Sequence, residues 1–196
     1  MRLLDNLTVS NYNILMKEYL TEAVVLNFEK SQEANRRVSF YTKELGLLNA
    51  QVISGRKITS KLSLHLNPLN LVLLRLVEKK RMIVADAVVL NAFSNIRGSA
   101  LKIKKALGLT RLIRTQVLTK QPDLKIWYHL INSLKTGEID YKIFLKILGY
   151  DPKLSRCQNC SIGQPAYFCL IDQTFICEKC HFKFPENELL YIKSAF

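Results

Sequence analysis

Thr21-Glu-Ala-Val-Val-Leu-Asn-Phe28 and Arg36-Arg-Val-Ser-Phe-Tyr-Thr-Lys43, separated by the polar Glu29-Lys-Ser-Gln-Glu33, are the stretch whose reading decides the fold. Both runs are rich in β-branched and aromatic residues and end at turn-forming ones, which predicts two strands of a hairpin. Glu44-Leu45-Gly46 closes the second strand, and Leu47-Leu-Asn-Ala-Gln-Val-Ile-Ser54 reads as a third. A basic connection follows, Gly55-Arg-Lys-Ile-Thr-Ser-Lys61, and continues through His65 to Pro68. Leu69-Asn-Leu-Val-Leu-Leu-Arg-Leu-Val-Glu78 and Met82-Ile-Val-Ala-Asp-Ala-Val-Val89, joined by Lys79-Lys-Arg81, read as the fourth and fifth strands. Five consecutive strands predict a small closed barrel, with the OB-fold as the expected form. A five-stranded SH3-like barrel has the same strand count and remains the rival.

Outward from the barrel the period changes. After Asn91 apolar residues recur at helical spacing, in stretches from Ser94 to Gly108 and from Thr110 to Thr119. Pro122 marks another helix start, and Leu124, Trp127, Ile131 and Leu134 carry that helix to Gly137. Tyr141, Phe144, Leu145 and Leu148 define one more, stopped by Gly149 and Pro152. The class is therefore α+β. An extension over 1–18 with no clean period precedes an OB-fold nucleic-acid-binding domain over 19–90. A helical domain over 91–196 follows, with a cysteine hairpin at 157–180 hanging from its far end. The final Glu186–Ile192 reads as either a short helix or a strand.

That hairpin carries the one metal-type motif. Cys157-Gln-Asn-Cys160 and Cys177-Glu-Lys-Cys180 are two Cys-x-x-Cys pairs with sixteen residues between them, the spacing of a zinc ribbon. Cys157, Cys160, Cys177 and Cys180 are the expected ligands of one structural Zn2+, and four thiolates leave no open position for catalytic water. Between the pairs, Ala166–Ile171 and Thr174–Ile176 read as a hairpin turning at Asp172-Gln173. Cys169 falls on its first strand and reads as a small buried hydrophobe. His181, directly after Cys180, is a crowded alternative ligand. Two disulfides are the competing reading, disfavoured in a chain of this length with no secretory signal.

The formal charge is +13, and it is unevenly placed. Residues 35–81 hold ten Lys/Arg against two Glu, and residues 91–156 hold thirteen against four acids. Residues 1–34 and 157–196 are each close to neutral. Two basic blocks on a chain with no long apolar run suggest a soluble, cytoplasmic protein with a polyanionic partner, nucleic acid first. A solvated basic surface is the bland alternative. Arg36, Arg37, Arg56, Lys57 and Lys61 are the expected DNA-binding residues. Lys102, Lys104, Lys105, Arg111 and Arg114 compete for that role. No phosphate-binding loop for a nucleotide cofactor, no His-Glu-x-x-His and no Gly-x-Ser-x-Gly is present. His65, His129 and His181 are scattered and the acidic residues unpaired, so no bond-making or bond-breaking activity is expected.

The order of parts, basic barrel, helices, interrupted Cys-x-x-Cys pair, resembles the RecO family of DNA repair proteins. Glu22-Ala-Val-Val-Leu26, Ala34-Asn-Arg-Arg-Val-Ser-Phe-Tyr-Thr-Lys-Glu-Leu-Gly46 and Gly55-Arg-Lys-Ile-Thr-Ser-Lys61 carry the likeness in the barrel, and Leu148-Gly149 precedes the cysteines at the family's distance. Ser161 stands where the family often has glycine, and the helical domain is shorter than is usual. The resemblance implies a recombination mediator that is not an enzyme. It would bind single- and double-stranded DNA, anneal strands coated by single-strand-binding protein, and work with RecR to load RecA at the nucleoid. Two other classes compete with it: a zinc-containing OB-fold scaffold for acidic protein partners, and an RNA-binding OB protein. Few barrel aromatics beyond Phe28, Phe40 and Tyr41 are available, and alternation should bury about half of them.

Overall fold

The structure, a computed structural model, describes residues 16–30, 36–53, 62 and 64–193. β1 (Lys17–Lys30), β2 (Arg36–Thr42), β3 (Gly46–Val52), β4 (Leu71–Glu78) and β5 (Met82–Asn91) form the first sheet. It is a closed barrel of order β1-β2-β3-β5-β4. The jump from β3 to β5, made by a parallel contact at Gln51 and Ile83, breaks a simple meander and is the Greek-key order of an OB-like barrel. Closure depends on the length of β1. Its first half pairs with β4, from Lys17 opposite Glu78 to Val24 opposite Leu71. Its second half pairs with β2, and the register shifts between Val25 and Asn27. A bulge there adds the local twist that lets one strand serve two neighbours.

The barrel interior is filled by the alternate residues Val25, Val38, Phe40, Leu48, Ala50, Val72, Leu74 and Val84, with Leu62 and Leu66 from the β3–β4 connection packed into the same cluster. Part of the opposite face of β1, β2 and β3 is buried as well. Val24, Leu26, Tyr41 and Leu47 join a second cluster with the helices. Alternation therefore did not leave half of the β2 aromatics exposed: Phe40 and Tyr41 are both fully buried, one on each face.

Four helices follow: α1 (Ser94–Arg97), α2 (Ala100–Gln116), α3 (Leu124–Thr136) and α4 (Tyr141–Ile147). Ser99, Asp123 and Asp140 cap the last three, each accepting from a backbone N–H two or three residues on. Gly137 ends α3 at φ 74, in the left-handed region. The helical break expected near Gly108 falls instead at Gly98-Ser99, and α2 runs straight through Gly108. A methyl group at Gly108 would run into the Tyr141 hydroxyl and sit 3.2 Å from Leu190 Cδ2. Tyr141 Oη donates to the Lys105 carbonyl at 2.8 Å across that gap. Burial pushes its pKa up to about 12, so it stays a donor. Gly108 is there for close approach, not to stop the helix.

Barrel and helices are joined by polar contacts as well as by apolar packing. Tyr41 Oη donates to the Asp123 carbonyl at 3.1 Å and accepts from the Asp123 N–H at 3.2 Å. Arg97 reaches back to the Ala92 and Pro68 carbonyls and to Asn70 Oδ1, at 2.7, 3.0 and 2.7 Å. Gly46, at φ 69, lies so close to Gln121 and Pro122 that no side chain fits.

The C-terminal unit is a second sheet of order β7-β6-β8, from β6 (Tyr167–Cys169), β7 (Thr174–Ile176) and β8 (Leu189–Tyr191). Glu186–Ile192 thus holds both alternatives: a 3-10 turn at Glu186–Glu188, then β8. Nor does the hairpin hang free. Phe168, Leu170, Phe175, Leu190 and Ile192 belong to the same buried cluster as Trp127 and Phe144. Gly108→Ala should lower stability by about 1–3 kcal/mol through overpacking. The expected readout is a lower urea midpoint with an unchanged m-value.

Candidate metal centre and nucleic-acid face

Each Cys-x-x-Cys pair sits in a tight backbone turn. In the first, Ser161 N–H donates to the Cys157 carbonyl at 2.8 Å and Cys157 N–H to the Gly163 carbonyl at 3.0 Å. In the second, Cys180 N–H donates to the Cys177 carbonyl at 3.1 Å. Gln158 N–H, bonded to the Phe175 carbonyl at 2.8 Å, holds the first turn against β7. The sulfur atoms of Cys157, Cys160, Cys177 and Cys180 all lie within 4.8 Å of one another. The Cys160 and Cys177 sulfurs are 3.8 Å apart, well beyond a disulfide bond, and all five cysteines are free. A tetrahedral ion with metal–sulfur bonds of about 2.3 Å needs sulfur–sulfur edges of about 3.8 Å. The donor set fits such an ion.

Two residues shape the first turn. Ser161 takes φ 60, the left-handed conformation glycine adopts without cost, which explains why glycine suits that position. At Gly163 a Cβ would stand 2.5 Å from Cys177 Cβ and 2.7 Å from its sulfur, so only glycine lets the two turns meet. The Gly163 N–H also points at Cys160 Sγ, 3.4 Å away.

Cys157, Cys160 and Cys180 do not ionise alike. Burial pushes Cys157 up, but backbone groups of Cys177, Cys160 and Asn159 outweigh it and bring it down to about 6. Backbone groups of Gly163 and Ile162 hold Cys160 below the usual thiol range. At Cys180 the Asn159 amide, 3.1 Å from the sulfur, favours the thiolate. Burial and the three other sulfurs override it and push the pKa up to about 11. A cation among them would remove that repulsion and release the remaining protons.

Cys169 is fully buried, with Asp172 Oδ2 3.7 Å from its sulfur, and it is not among the four clustered cysteines. The His181 ring stacks on Tyr167, centroids 4.8 Å apart, and its Nδ1 meets the Glu178 carbonyl at 2.6 Å.

Of the five basic residues singled out in the barrel, Arg37 is exposed at the start of β2, opposite Glu29 and Gln51. Arg36 pairs by backbone with Lys30 and Val52. Arg56, Lys57 and Lys61 lie outside the described residues. In the helical block, Arg114 is paired with Glu29 at 3.1 Å and Arg111 donates to the Asn187 carbonyl. Lys104 and Lys105 are exposed. Lys79, Lys80 and Arg81, read from sequence only as a turn, form a second exposed basic group on the barrel. Their charge was the available signal.

An OB-like barrel built onto a helical body, with a four-cysteine cluster at its far side, defines the class. The profile described as "Recombination protein O N terminal" matches residues 16–92, the barrel itself. A DNA repair protein RecO of Thermodesulfovibrio yellowstonii is 29% identical over 174 residues, covering 83% of this chain and 70% of that protein. One from Heliobacterium modesticaldum is 30% identical over 160 residues, covering 76% and 58%. One from Cutibacterium acnes is 38% identical over 80 residues, covering 40% and 32%. The chain belongs to the RecO family. Among the described residues no helix is long and apolar enough to cross a membrane.

Gly163→Ala should force the two cysteine turns apart and weaken metal uptake by about ten-fold or more. Cys169→Ala should leave uptake unchanged. Titration of reduced, metal-free protein with zinc against a competing chelator reads both.

Proposed function

We propose that this chain is a DNA-binding recombination mediator in DNA repair. It binds single- and double-stranded DNA, anneals complementary strands coated by single-strand-binding protein, and works with RecR in loading RecA. It needs no nucleotide cofactor and catalyses no bond chemistry. The observation that carries the reading is the match of the barrel, residues 16–92, to the N-terminal RecO domain. The RecO proteins it is similar to bear the name DNA repair protein.

Physical chemistry makes the role feasible. Joining two strands is opposed by phosphate repulsion, which Arg36, Arg37, Arg56, Lys57 and Lys61 would neutralise. With Phe40 and Tyr41 both buried, the barrel has few rings left for stacking bases. Gripping the backbone while leaving base edges free is what annealing requires. In this reading residues 19–90 are the DNA-binding unit and residues 91–196 its helical partner. The four cysteines hold one Zn2+, which fixes the two turns of the C-terminal sheet and takes no part in chemistry.

Strand annealing by the purified protein, with no ATP present, tests the reading. The triple change Arg56→Ala, Lys57→Ala, Lys61→Ala should abolish most annealing without unfolding the protein. Each lost phosphate contact should lower the salt slope for single-stranded DNA by about 0.7. A protein that does not anneal, or that binds RNA of equal length as tightly as DNA, would sink the assignment. Cys157→Ser should lose the zinc equivalent.

A further inference from the structure

Between α2 and the C-terminal sheet lies a cleft of about 430 Å³ that the barrel-centred reading does not use. One wall is a single face of α2, where Lys104, Lys105 and Arg111 recur at helical spacing. The opposite wall is aromatic: Tyr167, His181 and Tyr191. Tyr167 is stacked by His181 on one side and touched by Tyr191 on another, centroids 5.1 Å apart and planes at 60°. Tyr191 is 48% exposed, so it presents the free ring of the group. Lys104, Lys105 and Arg111 enter none of the ion pairs found among the described residues, while Arg111 Nη1 donates to the Asn187 carbonyl. Glu186 is the acid on the rim, leaving the cleft with three cations against one carboxylate.

We infer that this cleft is a second single-stranded nucleic-acid contact, stacking one base on Tyr191 and holding the flanking phosphates on Lys104, Lys105 and Arg111. It rests on the proposed function, and supplies what the barrel lacks. An aromatic ring beside cations is the chemistry of single-strand binding, where stacking supplies sequence-tolerant affinity and the cations track the backbone. The volume falls within the range of small-molecule pockets, room for one nucleotide and not for a duplex. An acidic peptide is the other polyanion that three cations attract, but it gains nothing particular from an exposed tyrosine face. The barrel and this cleft then divide the task, the one holding backbone and the other arresting a base.

The test uses the full chain with a fluorescent oligothymidylate and anisotropy at several salt concentrations. Tyr191→Ala should weaken binding about five-fold or more, with Tyr191→Phe keeping wild-type affinity because stacking needs the ring and not the hydroxyl. The double change Lys104→Ala, Lys105→Ala should lower the salt slope by about 1.4. If both alanine variants bind as wild type while Arg37→Ala weakens binding, the cleft assignment falls and the barrel reading stands. If the wild-type chain does not bind the oligonucleotide, both fall. Competition by an acidic peptide that is lost in the double lysine variant, with oligonucleotide affinity unchanged there, overturns the nucleic-acid assignment in favour of a peptide site.

Discussion

The second barrel strand is buried on both faces, and the rest of the architecture follows from that. Phe40 points into the barrel and Tyr41 toward α3, where its ring lies 6.5 Å from Trp127. A small barrel of this kind normally leaves one face of each strand to solvent. Here the outward residues Val24, Leu26, Tyr41 and Leu47 are apolar, so exposing them would cost roughly 1.5–3 kcal/mol for each large side chain. The helices are thus part of what keeps the barrel folded. Tyr41 also needs them chemically, since burial pushes its pKa up to about 12 and its hydroxyl must find the Asp123 backbone.

The same logic runs through the C-terminal sheet. Its central strand β6 turns Phe168 toward the helical cluster and Tyr167 and Cys169 toward the cysteine cluster. One face is therefore anchored by ordinary apolar packing. The other is a layer of thiols with Ile176, Leu189 and two rings, too thin to hold the Cys-x-x-Cys turns by burial alone. An ion among the four sulfurs would fix those turns, while the anchored face keeps the sheet attached to α2 and α4.

Much of this was legible in the sequence. Period-two alternation and turn residues located all five strands, and the cysteine spacing marked the clustered thiols. What was not legible was which faces other elements cover. Nothing local in Arg36–Thr42 distinguishes a half-exposed strand from one packed between two layers, because Phe40 and Tyr41 suit either. Gly108 misled for a related reason: a glycine required by the distant Tyr141 and Leu190 looks, in its own helix, like a breaker. The aromatic cleft was equally invisible, since Tyr167, His181 and Tyr191 meet Lys104 and Lys105 only once β8 pairs with β6. β1 was underestimated at both ends, extending to Lys17 and Lys30 because it must pair with two strands.

Charge shows most clearly how far composition carries an argument. The +13 balance pointed to a polyanion, yet the cations are not equivalent. Arg97 is committed to carbonyls at the junction of barrel and helices, Arg75 to Glu18, Arg114 to Glu29 and Lys120 to Glu78. Exposed pairs of this kind add little stability. They do, however, neutralise charge that would otherwise release counterions on meeting phosphate. Among the described residues, the cations left for a partner include local groups: Arg37 at the head of β2, Lys79 to Arg81 between β4 and β5, and Lys104 and Lys105 with Arg111 on α2. Affinity for a nucleic acid depends on how many of these one strand can touch at once. That number is set by the path between barrel and helices, so the geometry that buries Tyr41 also fixes which phosphates the chain can reach together.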